Sequence, residues 1–482
     1  MSKKLRMLAL ALAVLMLVPA VLAGCSGDNG DNGDSSSVQT TTGNGDATSD
    51  SSSSDTTDDL SKIDLDGYEF HMNAYGMTGF CTTGNRHEGT ALYDELMDLY
   101  AAIEDELNCT ITVDQTKTNS DSLLPAAVGG MKTADFLCTR QNTWIPLAMM
   151  GGIRALDEMV DAGLDLYNSD NFNQTYTLMS EINGHVYAVD MTGKFDWTAL
   201  GHYYAFNRDL VEQAGYKSED LFQAVRDGEW DYDMMLEIAR KITSDTDADG
   251  VTDIYGIALD ADGNEAWTNG TGPIIYQDGK WVSNVKDSQL IPALQFMYDI
   301  SQSDVQSPVA GGIGRGDRRT MFYEGKAGFA GLYGGNFGDN FEEMAGNGQL
   351  GCLPLPKGPD ADKYVMNMVD LDTFICQTAN QDWEKAAKVM NAIGAAVTSE
   401  EDYRAFVLES LAGDEDSAEM LLDYALPNAM MNIGKCSDDM HQILRKKFYT
   451  SIYELTYTPA AAAETYDAMI QAELDDVFQQ KD

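Results

Sequence analysis

Basic residues are scarce in this 482-residue sequence: 31 Lys and Arg face 78 Asp and Glu, for a formal net charge of −47. A chain this acidic repels nucleic acid and anionic lipid head groups, so neither is an expected partner. The five histidines are dispersed and none of the seven cysteines falls in a C-x-x-C pair, so no zinc pattern exists. Nucleophile-elbow, H-E-x-x-H and P-loop motifs are all missing. Their absence removes the enzymes built on them but leaves glycosidases, which need only two well-placed carboxylates. No fixed-period repeat is visible, which argues against a solenoid. After the first 25 residues, no run is apolar enough to span a bilayer.

The opening segment is different. Lys3, Lys4 and Arg6 lead into an uncharged apolar run from Met7 to Ala23, followed by small residues. That layout predicts a secretory signal over residues 1–24, although a run of this length is also just enough for a membrane crossing. Its ending "LAGC" resembles a bacterial lipobox, which implies lipidation of Cys25 and a lipid anchor in the cell membrane. Residues 25–60 are rich in Ser, Asp and Gly and contain no aromatic residue. They cannot bury enough apolar surface to offset their ordering entropy, so a disordered acidic tether is expected, with an O-glycosylated stalk as the alternative. The other cysteines (Cys81, Cys109, Cys138, Cys352, Cys376 and Cys436) are widely spaced, and the expectation is buried free thiols rather than disulfides.

The body, residues 61–482, is long for one compact core and is expected to form two lobes. "YEFHMN" (68–73) alternates as a strand. Leu92, Leu96, Leu99, Ile103 and Leu107 then repeat at three- and four-residue spacing, one apolar stripe of a helix. "CTITV" (109–113) follows, completing a βαβ unit and hence a parallel sheet. "ADFLC" (134–138) is a third strand candidate. Asp231 is placed to cap a helix carrying Met234, Ile238 and Ile242, and a second helix stacks Trp383, Ala387, Met390 and Ile393. Further strands are predicted at "GHVYAVD" (184–190), "IYGIAL" (254–259) and "AGFAGLY" (327–333). The fold class is α/β.

Six ordered segments then resemble the family 1 extracellular solute-binding proteins, the sugar-binding lipoproteins of ABC importers. They are "ADFLCTRQNTWIPLAMMGGIRALDEMV", "NGHVYAVD", "YYAFNRDLVEQAGY", "GEWDYDMMLEIARKI", "FYEGKAGFAG" and "LPLPKGPD". The resemblance implies a two-lobed periplasmic-binding-protein-like fold with an interlobe ligand cleft and hinge crossings. By analogy, residues 61–200 plus 368–400 make the N-terminal lobe, and 201–367 plus 401–482 the C-terminal lobe. It further implies a monomer that performs no catalysis, captures a carbohydrate outside the cytoplasm and delivers it to permease subunits.

Sugar rings stack their C–H faces on aromatic side chains, and their hydroxyls need amides, carboxylates or arginine in fixed geometry. Polar and aromatic residues after predicted strands are therefore the binding candidates. These are Asn73 and Tyr75; Arg140, Asn142 and Trp144; Asp196 and Trp197; Trp267 and Asn269; Tyr333 and Asn336; and Asp370 and Asp372. Trp230 and Trp383, at a helix start and in a helix stripe, are assigned to packing. The number of aromatic loops points to an oligosaccharide. A glycan hydrolase, a binder of a non-sugar solute and a calcium-dependent docking module are the rival readings. Docking modules of that kind use two metal loops feeding helices, whereas here one loop is followed by the β-prone "IYGIAL".

That loop, "DTDADGVTDIYG" (245–256), opens like an EF-hand loop, with Asp245, Asp247 and Asp249 at ligand positions and a glycine at position 6. Val251 would give its carbonyl and Asp253 a ninth-position ligand to a structural Ca2+. Position 12, normally a bidentate glutamate, is Gly256. An unmetallated turn held by side chain to backbone hydrogen bonds is the alternative.

Overall fold

A computed structural model describes residues 63–196, 200–307 and 315–480. The leader, Cys25, the tether and Trp197 lie outside the described residues.

The βαβ unit forms as its periodicity predicts. β1 (Tyr68–Asn73) and β2 (Cys109–Asp114) pair in parallel from Tyr68↔Cys109 to Asn73↔Asp114. Between them runs the helix Ala91–Leu107, which starts where the Thr90 side chain accepts a hydrogen bond from the Tyr93 N–H and stops at Asn108, in a left-handed conformation (φ 50°). Its stripe buries Leu96, Ile103 and Leu107 against the sheet, while Leu92 and Leu99 pack at the margin. Each full burial of this kind contributes about 1.5–3 kcal/mol.

β3 (Phe136–Arg140) pairs in parallel with the other edge of β1. It begins two residues later than the sequence pattern predicts. Asp135 is occupied as a clamp, its carboxylate accepting the His71 N–H at 2.8 Å and the Tyr68 hydroxyl at 2.7 Å. Of the expected strand at 184–190, only His185–Val186 enters a ladder: β4 (Glu181–Ile182) and β5 (His185–Val186) form a short hairpin, and Val189 bridges Phe374.

The second sheet starts with β6 (Tyr203–Asn207), followed by β7 (Tyr255–Ala258). The hairpin of β8 (Ile274–Gln277) and β9 (Lys280–Ser283) stands apart from both main sheets. β10 (Ala327–Leu332) and β11 (Leu350–Leu353) complete the second sheet, in the order β11-β6-β10-β7. The helix Tyr232–Ile242 covers one face; Asp231 caps it by accepting the Met234 N–H at 2.9 Å, and Ile238 and Ile242 are buried. Trp230 is fully buried beside it and donates its Nε1–H to the Pro354 carbonyl at 2.9 Å.

The chain then passes back through β12 (Met366–Met368), and β13 (Asp372–Ile375) joins the first sheet antiparallel to β3, giving the order β13-β3-β1-β2. The helix Trp383–Val397 packs on that sheet through Ala387, Met390 and Ile393. β14 (Ala429–Met431) pairs in parallel with β12. The C-terminal helices after residue 433 share one core with the helix Gln141–Met149 and with residues 266–297. The six described cysteines are all buried and unpaired, and burial pushes the Cys81 thiol up to about 11. Among the described residues, no helix is long and apolar enough to cross a membrane.

Candidate ligand-binding cleft

Strand ends from both sheets converge on a cavity of about 370 Å³. Gly76 follows β1, Arg140 is the last residue of β3, and Tyr333 follows β10 directly. The carboxyl ends of strands are where open α/β sheets place their ligands. The floor comes from the two passages between sheets, Leu200–His202 and Met368–Asp372, and the remaining wall from Lys435, His441 and Arg445. Gly201 is needed here because a Cβ would lie 2.5 Å from the Met368 sulfur and 2.8 Å from the Asn367 carbonyl oxygen.

Sheet register sets the first charged group. Arg140 and Asp372 are cross-strand partners, and the Arg140 Nε–H donates to both Asp372 carboxylate oxygens, at 3.0 and 3.3 Å. The Arg140 Nη1 lies 3.6 Å from Asp370, which also takes a hydrogen bond from Lys435. Burial pushes the Asp372 carboxyl above its usual range, and Arg140 offsets part of that rise. Desolvation works to lower the Arg140 pKa, but the charge and hydrogen bonding of Asp372, together with Cys138 and Tyr333, outweigh it, so the net shift is upward. On the C-terminal wall, the Arg445 Nε–H donates to Asp262 at 2.5 Å.

Tyr333 supplies the aromatic surface. It begins a short turn in which the Asn336 side-chain oxygen accepts the Tyr333 N–H at 3.0 Å. The Arg319 guanidinium carbon lies 5.2 Å from its ring centroid, and the His202 ring lies 5.5 Å away at 40°. The His202 ring is itself placed by Asn264, whose amide nitrogen is 3.1 Å from Nδ1.

Of the thirteen binding candidates, this cavity gathers Arg140, Tyr333, Asp370 and Asp372. The other candidates among the described residues, which do not include Trp197, are placed differently. Trp144 and Trp267 are buried in the core rather than presented to a ligand, at 0% and 3% exposure. An indole hides up to about 250 Å² of surface; Trp144 sits in the helix Gln141–Met149 and Trp267 ends a short helical turn, and both rings pack among apolar residues of the C-terminal core. Asn269 clamps two loops, donating to the Gln289 carbonyl and to Asp360 and accepting the Asp360 N–H at 2.9 Å. Asn73 is buried and bonded to Asp114 and to the Thr116 carbonyl. Asp196 is buried with Arg86 at 2.8 Å, and Asn142 donates to Asp438 at 2.7 Å. Tyr75 stands exposed beside Gly76, and Asn336 serves as the turn clamp described above.

Sequence reasoning missed His202, Lys435, His441 and Arg445. A signal existed for two of them, because His441 and Arg445 are four residues apart, the spacing that puts side chains on one helix face.

The acidic loop lies elsewhere, between the helix Tyr232–Ile242 and β7, closed by a Ser244↔Ile254 bridge. Carboxylate oxygens of Asp245, Asp247 and Asp253 come within 4.8 Å of one another. Asp249 is not in that group; its carboxylate accepts the Val251 N–H at 2.8 Å. Asp245 accepts the N–H groups of Ala248 and Gly250, and Gly250 sits at φ +89°, where glycine is favoured. The Thr246 hydroxyl and N–H both donate to Asp253 and hold its carboxyl below the usual range.

The pattern of the family described as bacterial extracellular solute-binding protein matches residues 87–400 of this chain. No curated protein matches it in sequence. Among solved structures, the sugar-binding protein MalE from the phytopathogen Xanthomonas citri is similar, with TM-score 0.61, 14% identity, and coverage of 86% of this chain and 100% of that one. An ABC substrate-binding protein from Listeria monocytogenes, in complex with cycloalternan, has TM-score 0.56 and 13% identity over 85% of this chain and 99% of that one. UgpB from Mycobacterium tuberculosis, in complex with glycerophosphocholine, has TM-score 0.56 and 16% identity over 86% and 98%. At these identities the likeness concerns the fold, which is that of two-lobed periplasmic binding proteins.

Proposed function

Because this chain belongs to the bacterial extracellular solute-binding proteins, we propose that it captures a carbohydrate in the cleft and hands it to the permease of an ABC transporter. The observation that carries this reading is one cavity at the strand ends of both sheets. It is lined by an aromatic ring, Tyr333, beside the planar polar groups of Arg140, Asp370 and Asp372. Rings would rest against Tyr333 while hydroxyls bridge the guanidinium and carboxylate groups. Relatives of the same fold bind cycloalternan and glycerophosphocholine, so the fold alone does not choose between a sugar and another solute. The aromatic ring beside hydrogen-bonding planes favours the sugar.

The chain performs no chemistry in this reading. A glycosidase needs two carboxylates flanking the scissile bond, one of them protonated. The cleft carboxylates Asp370 and Asp372 are already engaged by Lys435 and Arg140. The protein acts as a monomer outside the cytoplasm, anchored through lipid on Cys25 and held off the membrane by residues 25–60. Asp245, Asp247 and Asp253 hold a structural Ca2+, with Asp249 and the Val251 carbonyl as further oxygen donors, and the ion staples a loop of the second sheet. Converging carboxylates suit a hard cation.

Calorimetric titration against a panel of mono- and oligosaccharides tests the proposal. One-site binding of a glycan without turnover supports it. Binding of a peptide or another solute with no response to any glycan, or hydrolysis of a glycan, refutes it.

A further inference from the structure

The cavity runs against the charge of the chain. Acids outnumber bases 78 to 31 overall, yet Arg140, Lys435 and Arg445 line the cavity with only Asp370 and Asp372, and two of the chain's five histidines, His202 and His441, stand among them. The layering of the arginine pairs sharpens this. The Arg140 side chain is 49% exposed in front of Asp372 at 19%, and Arg445 is 26% exposed in front of Asp262 at 4%. Among the described residues each guanidinium donates its hydrogen bonds through Nε, and the Arg140 Nη1 also faces Asp370 at 3.6 Å. The carboxylates behind therefore hold the two planes, and among the described residues the Nη2 group of Arg140 and both terminal nitrogens of Arg445 donate no hydrogen bond. A guanidinium held this way presents a fork of parallel N–H donors, which matches the two oxygens of a carboxylate or sulfate.

We infer that the preferred ligand is an acidic carbohydrate, whose carboxylate or sulfate group is taken by the Arg140 and Arg445 forks while its ring rests near Tyr333. This rests on the cleft being a carbohydrate site. It adds that a neutral sugar leaves strong donors unused. The acidic exterior does not prevent it, because charges beyond about 8 Å are largely screened at physiological salt.

Matched ligands give the test. The full chain is titrated calorimetrically with trimers of galacturonate, glucuronate and mannuronate, each beside its carboxyl-reduced neutral counterpart, and with a sulfated disaccharide beside its desulfated form. At least one acidic member is expected to bind at least 10-fold tighter than its neutral partner, and the pair in which this occurs identifies the oxyanion. Arg140→Lys and Arg445→Lys keep the charge and lose the fork, and each is expected to cut that preference by about 10-fold. The matched-ligand comparison needs no variant, so it decides even where a substitution harms folding. Equal affinity within every pair, or preference for the neutral member, overturns the inference and leaves carbohydrate capture standing. Binding of neither kind of glycan overturns both.

Discussion

Asp190 is a buried carboxyl with no cation paired to it among the described residues, and replacing it should change how stability depends on pH. Its side chain accepts the Thr192 hydroxyl, and the residue is 3% exposed. Burial pushes its pKa from 3.8 to about 7, with the nearby Asp196 charge adding to the rise. The folded pKa is therefore above the unfolded one, and between them the folded chain holds a proton that the unfolded chain has released. Stability falls as pH rises through that window, by ~1.4 kcal/mol per unit, and the loss is complete above pH 7. A rise of about three units gives ~4 kcal/mol, present at pH 8 and absent at pH 4. For about 420 ordered residues the unfolding entropy is ~0.9 kcal/mol/K, so the corresponding Tm change is about 4 °C. The assay is differential scanning calorimetry of the natural chain and Asp190→Asn from pH 4 to 8. The variant should match the natural protein near pH 4 and become relatively more stable up to pH 7 and beyond. Other carboxyls titrate in both proteins and cancel in the difference. A Tm difference that stays constant across the range refutes the assignment.

Tyr333→Ala should weaken glycan binding by about 10-fold or more by calorimetry, with a small Tm change, because the half-buried ring faces the cavity. Trp144→Ala should do the reverse, costing about 3–5 kcal/mol in urea unfolding while the glycan Kd of the folded protein stays the same. Excess Ca2+ should raise Tm relative to a chelator, and Asp245→Asn should shrink the difference; equal Tm in both buffers removes the metal. Cys81, Cys109, Cys138, Cys352, Cys376 and Cys436 should react with a thiol reagent only after unfolding, since all six are buried and unpaired.

The α/β class and the first βαβ unit were legible because side-chain periodicity is a local property. The helix at 91–107 and the capped helix after Asp231 are where their apolar stripes predict. The cavity was only partly legible, for a physical reason. A tryptophan shortly after a strand reads the same in sequence whether it faces solvent, ligand or core, and its large apolar area drew Trp144 and Trp267 inward from helical segments. Two asparagines met a similar fate, because buried backbone needs partners: Asn73 at the end of β1 and Asn269 satisfy the carbonyls of Thr116 and Gln289. Arg140 and Asp372 are 232 positions apart in sequence and became partners through the register of β3 and β13. The basic wall of Lys435, His441 and Arg445 comes from a helical segment that joins the cavity only through long-range packing. No local pattern encodes that meeting.

A crystal structure of the chain with its tightest-binding glycan would show where the ligand sits. A sugar ring is expected against Tyr333, with its polar groups in contact with Arg140 and Arg445 at the strand ends of both sheets. Ordered sugar instead in the groove bounded by His87, Lys194 and Phe406, with the strand-end cavity filled only by solvent, contradicts that placement.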